Sequence, residues 1–433
     1  MEDELLSLAQ ERMAQAEVFS SDADRTSVDF RANEFHAQEN LSTHGYGLRV
    51  VREGRVGFSS TTNPDVVEDL VEAALETAAY GKPCRFDFPG PGPKPGVATF
   101  DNRVIMLPAQ RMIEWGRELI DATRARVPDI KLDVNLTRVY REVVIINSAG
   151  LDTRFSRAEF DLGVSALLVL DGLVWIQEYE NLSNGAPLDI GPVVDRIEDH
   201  ARRARTRARL SSGTYPVIFA PSALPNLLLP FTVAVDGKLL EKGTSPFIGK
   251  EGRQLLDEKI TIADNPLRDF GLRSSPLDGE GTPRRRNVLF DRGVFTGFLF
   301  DAATAAACRK ESTGSASRDY SSQPRPGVSN IEMATGDAAQ EDAIEGIEQG
   351  IIVYDCIGGG QSNLLAGDVT LDVSLGYKIE NGALAGRVKD VMIAGNVYEM
   401  FRNVEAVGNT QRDYGVDFVP FVKFAGLKVA ARD

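Results

Sequence analysis

The sequence predicts an α+β fold, in which an N-terminal domain with helices on one face of an antiparallel sheet is followed by a strand-rich C-terminal domain. The chain has 433 residues, more than one hydrophobic core usually serves, so we expect two domains. Short segments with strand-like alternation follow one another through short turns, a pattern that favours antiparallel pairing. Helical segments flank these strands, which indicates an α+β layout rather than a doubly wound one.

The N-terminal domain is expected over residues 1–210. Apolar residues at helical spacing predict helices within residues 2–15, 66–78, 109–125 and 192–210. Alternation predicts strands over residues 27–31, 34–39, 131–137, 142–147, 152–156, 160–170 and 174–180. Glu53-Gly54 predicts a hairpin turn between residues 46–52 and 55–60. The proline- and glycine-rich residues 81–96 predict an ordered loop packed through Phe86 and Phe88.

The C-terminal domain is expected over residues 211–433, and it opens with a strand at 215–220 and a helical stretch at 221–241. Further strands are predicted over residues 260–263, 287–291, 294–300, 350–357, 369–375 and 388–393, with short helices over 302–309, 340–349 and 397–403. The strands 369–375 and 388–393 are so apolar that one small domain would not fully cover them, which predicts a subunit interface there.

Composition limits the classes of function. A formal net charge of −15 repels phosphate backbones, so we expect no direct nucleic-acid ligand. The arginine-rich run HARRARTRARL (200–210) allows an anion patch or the solvated end of a helix, and the absence of interleaved aromatic residues favours the helix end.

The expected location is the cytoplasm. No apolar stretch reaches the length of a membrane span, and the N-terminal residues are acidic and amphipathic, unlike a signal peptide. Cys84, Cys308 and Cys356 are scattered without CxxC spacing, which fits a reducing compartment.

Motifs in fixed order run along nearly the whole chain. They include GYGLRV (45–50), GTSPFIGKEG (243–252), PLDGEGTPRRRNVLFDRGV (276–294), GGGQSN (358–363), IENG (379–382) and IAGN (393–396). In this order they resemble the TldD/PmbA family, two-subunit metallopeptidases first described as modulators of DNA gyrase. The metal-bearing subunit of that family carries an HExxxH motif on a helix. The corresponding positions here are interpreted as residues 232–237, which read Thr-Val-Ala-Val-Asp-Gly.

The resemblance implies a PmbA (TldE) type of subunit, which shares the fold but not the zinc ligands. The relatives take a further ligand from a cysteine near the C-terminus, whereas residues 413–420 read DYGVDFVP. We therefore expect no catalytic residue, metal or other cofactor in this chain, and zinc in a TldD-like partner. A separate metal site at His36 and His44, with Glu34 and Glu39, would need a hairpin to join them, and strand alternation puts His36 and Glu39 on opposite faces.

Eight residues are candidates for substrate binding: Asp236, Gly237, Ser312, Thr313, Gly358, Gly359, Gly360 and Asn363. The glycine run lacks the Lys-Ser/Thr of a phosphate loop, so it is either a tight connection after a strand or a wall of a peptide cleft. Asp264, Asp278 and Glu280 are either an acid–base pair or caps of turns. Ser312 lacks a nearby activating histidine, and Lys310 is the only base close to it in sequence.

The function predicted from these observations is that of a metal-free subunit, which completes the substrate cavity of a peptidase acting on extended or unfolded peptides. Its partner would be a TldD-like catalytic subunit or a second copy of itself. Two alternatives stay open. One is a standalone homodimer that binds peptides or small ligands, and the other is a hydrolase that uses residues such as Asp236, Asp278 or Ser312 without metal.

Overall fold

The computed structural model describes residues 1–361 and 363–431. The helices are α1 (Glu2–Glu11), α2 (Val67–Ala79), α3 (Asn102–Ile105), α4 (Ala109–Arg126), α5 (Ile190–Ala204), α6 (Pro225–Ala234), α7 (Gly237–Glu241), α8 (Ala302–Cys308), α9 (Gln340–Glu345) and α10 (Val397–Met400). A single 3-10 turn covers Gly359–Gln361. Ser362, part of the glycine-rich motif, and residues 432–433 of the expected second domain lie outside the described residues.

The strands of the first half are β1 (Gln15–Arg31), β2 (Glu34–Arg52), β3 (Arg55–Thr61), β4 (Lys131–Asn147), β5 (Asp152–Val169) and β6 (Leu173–Asn181). Those of the second half are β7 (Gly213–Phe219), β8 (Ile262–Asp264), β9 (Asn287–Asp291), β10 (Val294–Phe295), β11 (Ala316–Ser317), β12 (Arg325–Pro326), β13 (Ile331–Met333), β14 (Gln349–Ile357), β15 (Asp368–Glu380), β16 (Ala383–Arg387), β17 (Val391–Asn396), β18 (Val404–Val407), β19 (Arg412–Asp413), β20 (Asp417–Val419) and β21 (Val422–Ala431).

The first six strands form one antiparallel sheet in the order β3-β2-β1-β4-β5-β6. Even-numbered side chains such as Val18 and Val144 pack against α1 and α2, while Val28 and Leu132 pack with α4 and α5. Odd-numbered neighbours such as Phe19 and Val143 form a separate cluster on the opposite face. The helices therefore cover one face, and the predicted α+β layout is confirmed.

Two of these strands are much longer than the sequence indicated. The segments predicted at 27–31 and 34–39 are the hairpin ends of β1, with 17 residues, and of β2, with 19. The run of β2 continues through Gly45 and Gly47 because another part of the chain lies directly on them. A Cβ at Gly45 would be 2.4 Å from the ring of Tyr320, and one at Gly47 would be 2.3 Å from the Tyr320 carbonyl oxygen.

The second half contains a seven-stranded sheet with the path β14-β7-β21-β17-β15-β16, in which β14 also pairs with β15. That extra pairing closes five strands into a ring around a large apolar core. Among the described strands of this sheet, β14 and β7 alone pair in parallel. A second sheet, in the order β10-β9-β8-β13-β20-β19, packs on the same core. No described helix combines the length and apolar character that crossing a bilayer requires.

The apolar strands 369–375 and 388–393 do not support the predicted subunit interface, which itself stays a prediction. Val369, Leu371, Leu375, Val391 and Ile393 are each no more than 3% exposed within the single chain. In the folded chain these residues lie in the two large apolar cores. Separate sequence segments could not reveal this burial. Their apolar character is therefore explained by this chain alone.

A buried ion network joins the two halves. The Arg49 guanidinium on β2 donates to Glu17 on β1 at 3.0 Å and to Glu280, from the loop before β9, at 2.8 Å. Arg318 also pairs with Glu17, and the side chains of these four residues are at most 3% exposed. Burial works against the charge of Arg49, but Glu17 and Glu280 outweigh it and hold its pKa above the usual value. The network fixes the sheet against the second half of the chain.

Candidate functional site

The helix predicted over residues 221–241, which would carry the positions corresponding to HExxxH, is broken in two. Helix α6 ends at Ala234, and Asp236 caps α7 by accepting a hydrogen bond from the Lys238 backbone N–H at 2.7 Å. The expected single helix over 221–241 is therefore wrong, and positions 232–237 straddle the break. An HExxxH motif on one helix does not fit those positions. Every other register on α6 is equally empty, because its residues PNLLLPFTVA include no His, Cys, Asp or Glu.

Four of the predicted substrate-binding residues meet around the backbone of Leu299 and Phe300: Asp236, which forms a β-bridge with Leu299, and Gly237, Ser312 and Thr313. The Gly237 N–H donates to the Leu299 carbonyl at 2.8 Å. The Phe300 N–H donates to the Thr313 hydroxyl at 2.7 Å, and Ser312 Oγ donates to the Phe300 carbonyl at 3.3 Å. These contacts join α7 to the loop after α8. The polar groups of Ser312 and Thr313 are thus engaged in holding the backbone.

The glycine loop lies at the other end of α6. Gly358 has φ +105°, a conformation that favours glycine, and a Cβ there would be 2.6 Å from the Thr370 carbonyl. A Cβ at Gly359 would be 3.3 Å from the Asn226 carbonyl, whereas nothing would lie within 4 Å of one at Gly360. Asn363 accepts a bond from the Ala366 N–H at 3.3 Å and stabilises the following turn. The structure therefore does not bring the two predicted groups together, since the length of α6, roughly 15 Å, separates them.

The surface beside the glycine loop is apolar. Leu229 on α6 is 37% exposed, and Ile357 at the end of β14 is 61% exposed. Leu229 lies one turn after Asn226, which the glycine loop touches. Exposed large apolar side chains beside an accessible backbone loop are suited to contact another chain.

A cleft lies between the two halves of the chain, and the sequence did not point to it. Its larger lobe has a volume of about 500 Å³, and an adjoining lobe has about 450 Å³. Six residues give it its chemical character: Glu178, Arg196, His200, Tyr354, Arg412 and Tyr414. One wall is β6, the last strand of the first sheet. Another wall includes Ser222, three residues before α6, and the start of residues 413–420, the segment that corresponds to the cysteine-bearing segment of the relatives.

Charged groups in the cleft pair with one another. The Glu178 carboxylate accepts from Arg196 Nε at 2.7 Å and from Arg412 Nη2 at 2.6 Å. The Asp355 carboxylate accepts from the Ser374 hydroxyl at 2.6 Å, and burial raises its pKa. These hydrogen bonds position the walls of the cleft, whose lining contains both carboxylates and guanidinium groups.

The imidazole of His200 lies in the cleft and is held in place by aromatic neighbours. Its ring stacks on Tyr377 and meets Tyr354 edge-on. The Tyr377 hydroxyl donates to the His200 carbonyl at 3.1 Å, so the Nδ1–H of His200 donates to that hydroxyl at 3.0 Å. Burial lowers the pKa of His200, with Glu178 and Asp199 partly opposing it. The geometry therefore assigns a neutral imidazole, in which Nε2 can accept a hydrogen bond.

The loop carboxylates have structural partners. Asp278 accepts from the backbone N–H groups of Glu280 at 2.9 Å, Thr282 at 3.0 Å and Ala316 at 3.0 Å. Asp264 accepts from the Ser329 backbone and hydroxyl, both at 2.6 Å. Glu280 binds Arg49 and the Ala302 N–H. These bonds favour the turn-capping interpretation over an acid–base pair.

The alternative metal site at His36 and His44 is wrong. Both residues lie on the continuous strand β2, eight positions and therefore roughly 26 Å apart. His44 pairs with Asp22 on the neighbouring strand. Among the described residues, no group of three or more His, Cys, Asp and Glu is arranged to hold a metal ion.

The arginine-rich run belongs to the end of α5, as the helix interpretation proposed. Arg202 and Arg203 pair with Asp199, Arg205 pairs with Asp129, and Arg207 pairs with Asp171. The run is thus balanced by acidic neighbours from the same chain.

Family models match three consecutive stretches of the chain. Domain 1 of the PmbA/TldA metallopeptidases matches residues 16–78, the central domain matches 104–211, and the C-terminal domain matches 212–431. The C-terminal match alone covers half of the chain. The chain belongs to the PmbA/TldD metallopeptidase family. The predicted family is confirmed, while the division into two domains at 210/211 stays a prediction.

Individual relatives of this PmbA/TldD family member are similar over their whole length. Metalloprotease PmbA of Escherichia coli O157:H7 is 27% identical over 446 residues, covering 97% of this chain and 94% of the relative. An uncharacterized protein of Methanocaldococcus jannaschii is 27% identical over 434 residues, covering 98% of both. The crystal structure of TldE from Thermococcus kodakarensis has a TM-score of 0.92 at 23% identity and covers 99% of each chain, which shows a shared fold.

The cleft residues escaped sequence reasoning because they come from distant segments. Glu178 and Arg412 are 234 positions apart, and His200 and Tyr377 are 177 apart. Of these residues, only His200 carried a usable signal, as one of three histidines in the chain.

Proposed function

We propose that this protein is the metal-free, PmbA-like subunit of a cytoplasmic two-subunit peptidase, and that it completes a substrate cavity beside a TldD-like subunit carrying zinc. The observation that carries the proposal is the composition of α6. This helix stands in the block that resembles the HExxxH region of the family, and it contains no residue type that binds zinc in proteins.

The side chains present around α6 do not fit a zinc ion. Its only polar side chains are those of Asn226 and Thr232, and the Thr232 hydroxyl donates to the Leu229 carbonyl at 2.9 Å. Residues 413–420 offer Asp413 and Asp417 but no cysteine. Asp413 accepts from the Gly415 N–H at 2.6 Å and from Asn181 at 3.2 Å. Hydrolysis is therefore assigned to the partner subunit.

The role proposed for this chain is to hold extended peptide. Strand β6 ends its sheet and pairs, among the described residues, with β5 alone, so its outer edge can add a peptide as a further strand. Two residues of this strand, Gln177 and Glu178, line both lobes of the cleft, and Tyr179 lines the smaller lobe. The Nε2 atom of His200 and the arginines of the cleft supply polar contacts. The apolar surface at Leu229 and Ile357 is suited to the partner subunit.

Two other functions were left open by the sequence. A homodimeric binding protein would use the same cleft without a catalytic partner. A hydrolase without metal would need Asp236, Asp278 or Ser312 as a reacting group. The hydrogen bonds of all three residues to backbone favour structural roles instead.

Co-purification from the native cell, followed by metal analysis, tests the assignment. We expect a TldD-like protein to co-elute with zinc, and casein cleavage to require both chains. A tightly held zinc on the isolated chain, or elution of the chain only with itself, contradicts the proposal.

A cleft variant then tests peptide holding. We expect His200→Phe to keep the aromatic stacking and lose the Nε2 acceptor, which weakens casein cleavage by the two-chain complex through a higher KM. The matched control is His36→Phe on the exposed part of β2, which should leave KM unchanged. An unchanged KM for His200→Phe would remove the cleft from the substrate path.

A further inference from the structure

A second cavity lies on the face of the six-stranded sheet opposite the helices. Its volume is about 260 Å³. The floor is formed by β1, β4 and β5, and the rim by loops of the second half around residues 273–284 and 316–319. It is separate from the cleft described above, with which it shares no lining residue.

Five arginines line this cavity, which we call the arginine pocket: Arg141, Arg157, Arg273, Arg284 and Arg318. Such a concentration contrasts with the net charge of −15 of the whole chain. Arginine presents several N–H donors in a planar fork that matches a carboxylate or phosphate. The residue types alone therefore indicate an anionic ligand.

Several guanidinium atoms in the arginine pocket have no partner among the described residues. The Arg318 side chain is 0% exposed and gives Nη1 to Glu17, while its Nε and Nη2 are unbonded. The Nε atoms of Arg141 and Arg157 are also buried and unbonded. A buried donor left without an acceptor destabilises the folded state, so these atoms call for an acceptor from outside the chain.

Two of the arginines also face each other. Arg141 on β4 is directly opposite Arg157 on β5 in the antiparallel register. Like charges directly opposite on neighbouring strands destabilise a sheet. Burial lowers the pKa of Arg141 and Arg157 lowers it further, while Glu159 and Asp319 partly oppose both effects. An anion bound between them would relieve this repulsion.

The carboxylates nearby do not supply the missing acceptors. Glu159 pairs with Arg157 at 3.2 Å, and Glu17 is shared by Arg49 and Arg318. Asp278 accepts three backbone bonds, and burial, assisted by Glu280, raises its pKa to about 7. Asp319 accepts from Ser321. With these bonds made, the Nε atoms of Arg141, Arg157 and Arg318 still have no acceptor among the described residues.

The remaining lining is mixed, and its large apolar side chains are Phe19, Val143, Phe155, Leu277 and Val328. Inorganic phosphate has no apolar part and would leave these apolar side chains without a contact. A molecule with a carboxylate at one end and an apolar group beside it would use both parts of the cavity.

We propose that the arginine pocket binds an organic carboxylate with an adjacent apolar side group. A free C-terminal residue of a peptide and an N-acylated apolar amino acid share this chemistry. Arg141, Arg157 and Arg318 would bind the carboxylate, and Phe19 and Phe155 would contact the side group. The site does not depend on the peptidase assignment, because no residue of the cleft takes part.

Isothermal titration calorimetry of the full chain tests the proposal. The probes are N-acetyl-leucine, a hexapeptide ending in leucine, the same hexapeptide with an amidated C-terminus, and inorganic phosphate. We expect saturable binding of the first two probes and at least tenfold weaker binding of the amidated peptide and of phosphate. If N-acetyl-leucine binds and the hexapeptide does not, the ligand is a free small acid. If both bind, the ligands include the C-terminal ends of peptides.

Variants locate the binding. Arg141→Gln should weaken N-acetyl-leucine binding at least tenfold. The control is Arg154→Gln, on the same strand as Arg157 but an odd number of residues away and 65% exposed, which should leave binding unchanged. Arg157→Gln, at a side chain that is 22% exposed, serves as a second variant with the same expected loss should Arg141→Gln fold poorly. No saturable binding by the parent, phosphate binding as tight as the carboxylate, or full binding by both variants would overturn the proposal.

Discussion

Gly237 is held in a space that admits no side chain, and replacing it tests how α6 and α7 are joined. A Cβ at this position would lie 2.5 Å from the Leu299 carbonyl oxygen and 2.5 Å from Phe300 Cδ1. Real Cβ contacts are rarely below 3.0 Å, so one side must move. The carbonyl cannot retreat without breaking the 2.8 Å bond from the Gly237 N–H, and the Phe300 ring is 4% exposed within the core.

The cost for Gly237→Ala follows from these two contacts. Overpacking a filled core costs about 1–3 kcal/mol. Loss of one backbone hydrogen bond adds about 1 kcal/mol. We therefore expect a loss of about 2–4 kcal/mol, which corresponds to a fall of at least ~4 °C in the melting temperature of the second half of the chain.

Thermal and urea unfolding of the parent and the variant measure this loss. Gly360→Ala is the matched control, because nothing lies within 4 Å of a Cβ there, and it should change stability by less than about 0.5 kcal/mol. A Gly237→Ala protein that melts with the parent would refute the packing argument.

The same contact bears on restoring a metal motif. Thr232→His, Val233→Glu and Gly237→His together would put an imidazole where a methyl group does not fit, and would place the two histidines on different helices. We expect this triple variant to be unstable and to cleave no casein with added zinc. Cleavage well above that of the parent would show that a third ligand and supporting groups are already present.

Three further predictions concern metal content, titration and the buried network. Metal-replete parent protein should hold no stoichiometric zinc by elemental analysis, and about one tightly held ion per chain would contradict this. Burial raises the pKa of Asp161 from 3.8 to about 6, so the folded state keeps a proton that the unfolded chain has lost, and stability falls as pH rises from about 4 to about 6. Asp161→Asn should therefore raise urea resistance at pH 8, by up to about 3 kcal/mol, and change little at pH 4. Glu280→Ala leaves Arg49 buried without one partner and should cost about 3–5 kcal/mol, whereas Glu399→Ala, which removes an exposed pair, should cost less than about 1 kcal/mol by the same unfolding assay.

The sequence was sufficient to recognise the family and the α+β class, because both depend on patterns between neighbouring residues and on motifs in fixed order. The bounds of the strands were predicted only in part. The hairpin ends of β1 and β2 were found, but their full lengths of 17 and 19 residues depend on contacts with Tyr320 and with the neighbouring strands. The break between α6 and α7 was also missed, since it results from the Leu299 backbone lying against Gly237.

The absence of zinc-binding residue types from α6 is a property of the sequence alone, because no folding can supply a donor atom that the residues lack. The cleft and the arginine pocket were decided only by tertiary structure. Glu178 meets Arg412 across 234 positions, and Arg318 meets Glu17 across 301. The physical reason is that local sequence specifies helices, strands and turns, whereas the packing of the second half on the free face of the sheet brings distant charges into one low-dielectric space.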